Sequence, residues 1–254
     1  MNQVGTRLLG LFTAAALALP FAQKPAEAAP VGLELVLAID VSGSVSASEY
    51  NLQLGGYVQA FQSAAVQNAI LGSQLGSIAV TLVQWAGSSE QQQSIGWTLI
   101  DSAQDANDFA AALAASPRAF SGNTAIGNAI AYATGLFTNG YEGLRNVIDV
   151  SGDGTNSAGG SVTTARDAAV TAGITVNGLA IGDSSLLTYY TNNVIGGPGA
   201  FAIGADSFAD FSAAIEQKLV REIVGVPEPM TLALFGLGLA GLGVVRRRTA
   251  AKAG

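Results

Sequence analysis

The apolar positions of this chain change their period several times, and each change marks a new element. Residues 33–41 form an almost unbroken apolar run, the pattern of a central parallel strand buried on both faces. From Ser48, a suitable N-cap, to position 65 the apolar residues recur at helical spacing, with Leu52, Leu54, Tyr57, Val58 and Phe61 expected inward. Residues 77–85 and 94–100 read as two β-rich runs joined by a polar turn, a hairpin. Helices follow at 105–115, with Phe109 and Leu113 inward, and at 124–137. A strand at 146–151, a helix at 162–172 and a strand at 174–181 continue the alternation. A short helix near 186–190, a Gly-rich loop at 196–199, a strand at 200–203 and a helix at 208–224 complete it. The expected fold is α/β: a doubly wound, mostly parallel central sheet with one antiparallel edge strand and helices on both faces.

The two ends break this pattern. Arg7 precedes an apolar stretch at 8–22, and Ala26-Glu27-Ala28 has the shape of a signal-peptidase site, so residues 1–28 read as a signal peptide. A first core helix or a membrane anchor is the alternative, but the stretch is short for a span of about 20 apolar residues. At the other end, Val226-Pro227-Glu228-Pro229 precedes an uncharged stretch at 230–245, with Arg246, Arg247 and Arg248 directly after it. Two prolines flanking a carboxylate form a stiff break, and the Arg cluster would lie on the cytoplasmic side of a marginal span. The order of these parts resembles the PEP-CTERM sorting signal of Gram-negative bacteria. That resemblance implies recognition at Pro227, Glu228 and Pro229 by an exosortase, a membrane protease, after transient anchoring in the inner membrane. It assigns 226–254 to sorting and places the mature protein at the cell surface or in the extracellular matrix. An ordinary C-terminal anchor would also leave the domain outside the cytoplasm.

Between these ends, residues 30–225 suffice for one well-packed domain. Five basic and sixteen acidic residues give this stretch a formal charge of −11, which argues against nucleic acid and favours cations. The chain holds no Cys and no His. Disulfides, thiolate chemistry and Ser-His-Asp catalysis are therefore excluded, and zinc sites are disfavoured.

In a doubly wound sheet, ligands bind beyond the carboxyl ends of the strands, near the point where strand order reverses. Three polar clusters fall there: Asp40-Val41-Ser42-Gly43-Ser44, Ser121-Gly122-Asn123-Thr124 and Ser151-Gly152-Asp153-Gly154. All their donors are hard oxygens, which suit Mg²⁺ and also accept Mn²⁺ or Ca²⁺. Taken singly, Thr124 reads as a helix cap and Asp153 as a turn residue. Taken together, Asp40, Ser42, Ser44, Thr124 and Asp153 resemble the metal-ion-dependent adhesion site of the von Willebrand factor type A domain. The likeness extends over the core, to an uncharacterised bacterial branch of that family. It implies that Ser42, Ser44 and Thr124 ligate the ion, with Asp40 and Asp153 bound directly or through water.

Such a site would capture an acidic group of a protein or polysaccharide partner, which makes a non-catalytic, metal-dependent adhesion module the leading expectation. A metal-assisted hydrolase of phosphoesters or glycans, with Asp149 or Asp153 as base, is the alternative, and a purely structural matrix component is a third reading. Asp149, inside a strand, is expected to be satisfied by hydrogen bonds, with a second ion site as the other option. The 196–199 loop reads as a turn more readily than as a phosphate cradle, since it lacks the P-loop Lys. Trp85, Trp97, Tyr189 and Tyr190 read as core more readily than as a carbohydrate-stacking face.

Overall fold

The structure is a computed structural model that describes residues 28–225. Residues 1–27 and the Pro-Glu-Pro motif, apolar stretch and Arg cluster lie outside the described residues. Its strands are β1 (Ala29–Val31), β2 (Leu33–Asp40), β3 (Ile78–Trp85), β4 (Gln91–Ile100), β5 (Tyr141–Gly143), β6 (Asn146–Gly152), β7 (Ile174–Ile181) and β8 (Ala202–Ala205). Its α-helices are α1 (Ala47–Gln62), α2 (Ala64–Leu71), α3 (Ala103–Ala114), α4 (Ile126–Thr134), α5 (Val162–Thr171), α6 (Ser184–Tyr189) and α7 (Phe211–Val224).

Six strands form the main sheet in the order β4-β3-β2-β6-β7-β8, and β4 alone runs antiparallel. The expected fold class is the observed one. All eight residues of β2 are buried, which is why its sequence is apolar but for Glu34 and the terminal Asp40. Its side chains alternate between two cores. Leu33, Leu35, Leu37 and Ile39 enter the layer under α1, α3 and α7, whereas Val36 and Ala38 enter the layer under α4 and α5.

Several boundaries depart from the expectations. The helix expected over 48–65 is two helices, because Ser63 ends α1 and its hydroxyl accepts from the Val66 amide to cap α2. Leu52, expected inward, is exposed, while Leu54, Tyr57 and Phe61 are buried. The second hairpin strand begins at Gln91 rather than at 94, and the last strand lies at Ala202–Ala205 rather than at 200–203. The short strands β1 and β5, too brief to show a period, pair in parallel as a separate ribbon. The 196–199 loop is a turn: Ala200 N–H donates to Gly197 O at 3.2 Å, after Gly196 has bridged to Val176 by a pair of backbone hydrogen bonds. Trp85 and Tyr190 are fully buried and Trp97 and Tyr189 half-buried, so these aromatics serve packing rather than a shared stacking face.

Asp149 resolves into an ion cluster. Its carboxylate lies 2.6 Å from Lys218 Nζ on α7, which also contacts Glu222 one turn on; all three side chains are fully buried. Asn177 Nδ2 donates to Glu222 Oε1 at 2.9 Å. Two carboxyls sharing one ammonium in a dry interior favour retention of a proton. Burial accordingly pushes Glu222 up to about 7, with the Asp149 charge adding to the rise and Lys218 opposing it.

Because the folded pKa exceeds the unfolded one, the folded state holds more protons across the intervening range. The cluster's contribution to stability is present at low pH and lost as pH rises through about 7. Thermal melts of the wild type should therefore fall between about pH 5 and about pH 8, with a shallower fall in Glu222→Gln. Lys218→Met, which leaves two buried carboxyls without their cation, should cost about 3–5 kcal/mol in urea denaturation at the upper pH.

Candidate metal centre

Strand order reverses between β2 and β6, since the chain leaves β2 towards β3 and returns from β4 to β6. Asp40 is the last residue of β2 and Gly152 the last of β6, so the first and third polar clusters emerge side by side. The second cluster joins them just ahead of α4, where the Ala125 amide donates to Ala86 O beyond β3.

The five expected residues come together. Asp40 is fully buried, and its Oδ1 accepts from the Ser42 amide at 2.7 Å. Thr124 Oγ1 donates to Ser42 Oγ at 3.4 Å, and Ser42 Oγ lies 3.1 Å from Ser44 Oγ. Ser44 Oγ donates to Asp153 Oδ1 at 2.6 Å, across 109 residues of sequence. The hydroxyls thus form a row with a carboxylate at its outer end. Its burial is graded: Asp40, Ser42 and Thr124 are inside, Asp153 is half-buried and Ser44 is exposed, so the row opens to solvent.

The alternative readings of single residues fail on geometry. Thr124 is not a cap, because the position before α4 is Ala125, and the Gly127 amide in the first turn donates instead to Asn156 Oδ1. Nor does Asp153 serve only its own turn, given its hydrogen bond to Ser44.

The loops are fastened to one another independently of these five side chains. Gly43 N–H donates to Gly122 O at 2.7 Å, and Ser157 N–H donates to Thr124 O at 2.8 Å. Gly122 lets the Glu90 side chain lie close against the second loop: a Cβ there would stand 1.8 Å from the Glu90 carboxylate and displace it. Arg118, which sequence reasoning missed, braces the first loop from beneath. Its guanidinium donates to Val41 O at 2.9 Å and to Ser42 O at 2.7 Å, and its Nε donates to Phe120 O. The available signal was that only five basic residues occur between positions 30 and 225, one of them three residues before Ser121.

Electrostatics set the character of the row. Burial pushes the Asp40 carboxyl up to about 7; the Ser42 hydroxyl and amide oppose this, and the Asp153 charge adds to it. Asp153 is raised too, first by burial, with Ser44 opposing and Glu49 adding. Neither carboxylate makes an ion pair among the described residues, and Asp40 Oδ2 is buried without a partner. No group of three or more Cys, His, Asp or Glu occurs there either, so a cation would depend on hydroxyls as well as carboxylates. That donor set fits a hard divalent ion, and the unpartnered Asp40 oxygen fits one placed beside it.

Solved structures share this architecture. Proximal thread matrix protein 1 from the mussel byssus matches with a TM-score of 0.60 at 15% identity, over 79% of this chain and 50% of that one. The same protein with a zinc-occupied MIDAS motif gives a TM-score of 0.59 at 16% identity, over 79% and 50%. The open conformation of the pilus adhesin SpaC from Lactobacillus rhamnosus GG gives 0.54 at 16% identity, over 77% and 30%. The SpRpn10 VWA domain gives 0.54 at 15% identity, over 77% and 99%. At such identities the likeness establishes the fold alone, and the chain spans about half the length of the byssus protein. No curated protein matches the sequence.

The fold is thus that of a von Willebrand factor type A domain. Within that class, the chain belongs to the family described as Protein of unknown function (DUF1194), whose model matches residues 30–227. Residues 225–248 match the PEP-CTERM protein-sorting motif, which implies export, processing by an exosortase and sorting to the surface or the exterior. Among the described residues, no helix is long and apolar enough to cross a membrane.

The Arg118 brace gives a prediction. Arg118→Ala frees the carbonyls of Val41 and Ser42, so the hydroxyl row should lose its alignment. Divalent-cation affinity, measured by calorimetry, should drop about 10-fold, as when an outer-shell support is removed.

Proposed function

We propose that this chain is an exported binding module that captures an acidic group of a protein or polysaccharide partner through a divalent cation. Asp40, Ser42, Ser44, Thr124 and Asp153 would hold the ion. Mg²⁺ is the favoured species, and Mn²⁺ or Ca²⁺ suits the same oxygen donors. The single observation that carries the reading is the row of hydroxyls, Thr124 to Ser42 to Ser44, closed by Asp153 and backed by the buried Asp40.

When bound, the ion supplies an electrophilic position for an incoming carboxylate. The residues do the remaining work. Three of the five donors are neutral hydroxyls, so the two carboxylates at most balance the ion's charge and the site carries no excess negative charge to repel an incoming anion. The exposure of Ser44 and the half-exposure of Asp153 put it at the solvent edge, where a partner's side chain or an acidic sugar can reach. Without an ion, by contrast, the acidic surface would repel such a partner.

The zinc-occupied motif in the byssus protein and the adhesin role of SpaC support this reading by analogy of fold. Exosortase processing of the C-terminal signal would deliver the module to the cell surface or extracellular matrix, after transient anchoring in the inner membrane.

Calorimetric titration of Mg²⁺ into the purified protein should give a binding heat that Asp40→Ala abolishes. Capture of the partner from native envelope material should disappear in EDTA and return with added Mg²⁺. Capture that is indifferent to the chelator would defeat the proposal.

A further inference from the structure

Asp40 Oδ2 is not the only unpartnered atom in this part of the interior. The hydroxyl of Tyr190, a fully buried residue, has no hydrogen-bond partner either. The two orphans are neighbours. A Cβ at Gly152 would stand 2.7 Å from the Tyr190 hydroxyl and 2.8 Å from Asp40 Oδ2, so both oxygens lie against the same bare Cα at the end of β6. Any side chain at position 152 would push between them.

Local structure aims the phenol there. α6 is capped by Asp183, whose carboxylate accepts from the amides of Ser185 and Leu186. The helix then widens into a single π turn at Tyr190–Val194 instead of ending. Such turns are rare and recur at functional sites. The ring of Tyr190 fills the space over Gly178 on β7, where a Cβ would meet its Cδ1 at 2.8 Å. Buried tyrosines ordinarily satisfy their hydroxyl. This one is left without a partner beside Asp40 Oδ2, on the other side of Gly152.

We propose that Tyr190 is a positioning residue for the cation site: across the bare Gly152, its hydroxyl donates to Asp40 Oδ2 when the ion is bound. This rests on the functional reading above. Asp40 Oδ1 is already fixed by the Ser42 amide. With the phenol on the second oxygen, the plane of the carboxylate is set from both sides, and the carboxylate meets the ion without having to reorient. The phenol acts through Asp40 and does not itself touch the ion.

A packing role and a positioning role predict different results for Tyr190→Phe. The substitution keeps the ring and removes only an unpartnered hydroxyl, so the melting temperature of the full chain in EDTA should be unchanged or raised. Mg²⁺ affinity by calorimetry should nevertheless fall about 10-fold, the scale for loss of an outer-shell hydrogen bond. Wild type, Tyr190→Phe and Asp40→Ala are titrated side by side. Equal Mg²⁺ affinity in wild type and Tyr190→Phe overturns the role of Tyr190 and leaves the cation site standing. A weaker affinity accompanied by a lower melting temperature in EDTA assigns the effect to packing and also overturns it. No heat in the wild type removes the site, and Tyr190's role with it.

Discussion

Asp40 ends a strand buried along its whole length, and its carboxylate is fully enclosed where β2 and β6 part company. An ionised carboxylate in such a place needs positive charge or several donors around it; otherwise it keeps its proton. The protein gives it one amide, that of Ser42, and aligns three hydroxyls outward from it. The architecture of the loops follows from that placement. Arg118 and the Gly43–Gly122 hydrogen bond hold the first two loops together from their backbones, leaving the hydroxyls free to face one another.

The chain solves the same electrostatic problem differently 109 residues later, counted from Asp40 to Asp149. Asp149, in the middle of β6, is equally buried, and there α7 contributes Lys218 as an internal cation. Bases are scarce between positions 30 and 225, with five against sixteen acids, and one of the five is spent inside the core. None is placed against Asp40 or Asp153 as an ion pair among the described residues. Where rigidity is needed, the sequence encodes its own counter-charge. At the loop end, it positions oxygen donors and stops. This contrast favours an external cation at the row of hydroxyls over a merely tolerated buried acid.

The features legible in the sequence were those written in short windows. The nearly continuous apolar run of β2 marked a central strand, and three polar clusters, each at the end of a strand or before a helix, marked the site. What escaped depends on partners distant in sequence. Ser63 looks like any helical serine until its hydroxyl is seen to restart the chain as α2. Lys218 and Glu222, four apart on an amphipathic helix, have the spacing of a solvent-exposed pair, and only the docking of α7 onto β6 turns them inward. Tyr190 reads as core, correctly, but the direction of its hydroxyl is set by a π turn that has no signature in apolar periodicity.

The candidate cation site and the end of the domain that precedes the sorting motif occupy different poles of the sheet. The last described residue, Gly225, lies against the guanidinium of Arg145, which donates to the final carbonyls of α7 just before β6 begins. The ribbon of β1 and β5 sits at this same pole, since β1 runs into the start of β2 and β5 precedes the start of β6. The hydroxyl row occupies the other pole, a full strand length away, about 20 Å for a strand of this size. Gly225 therefore lies at the pole opposite the candidate cation site. Among the described residues, the loops that form the candidate site make no hydrogen bond with that end of the domain, so their arrangement is set by β2, β3 and β6 and not by α7.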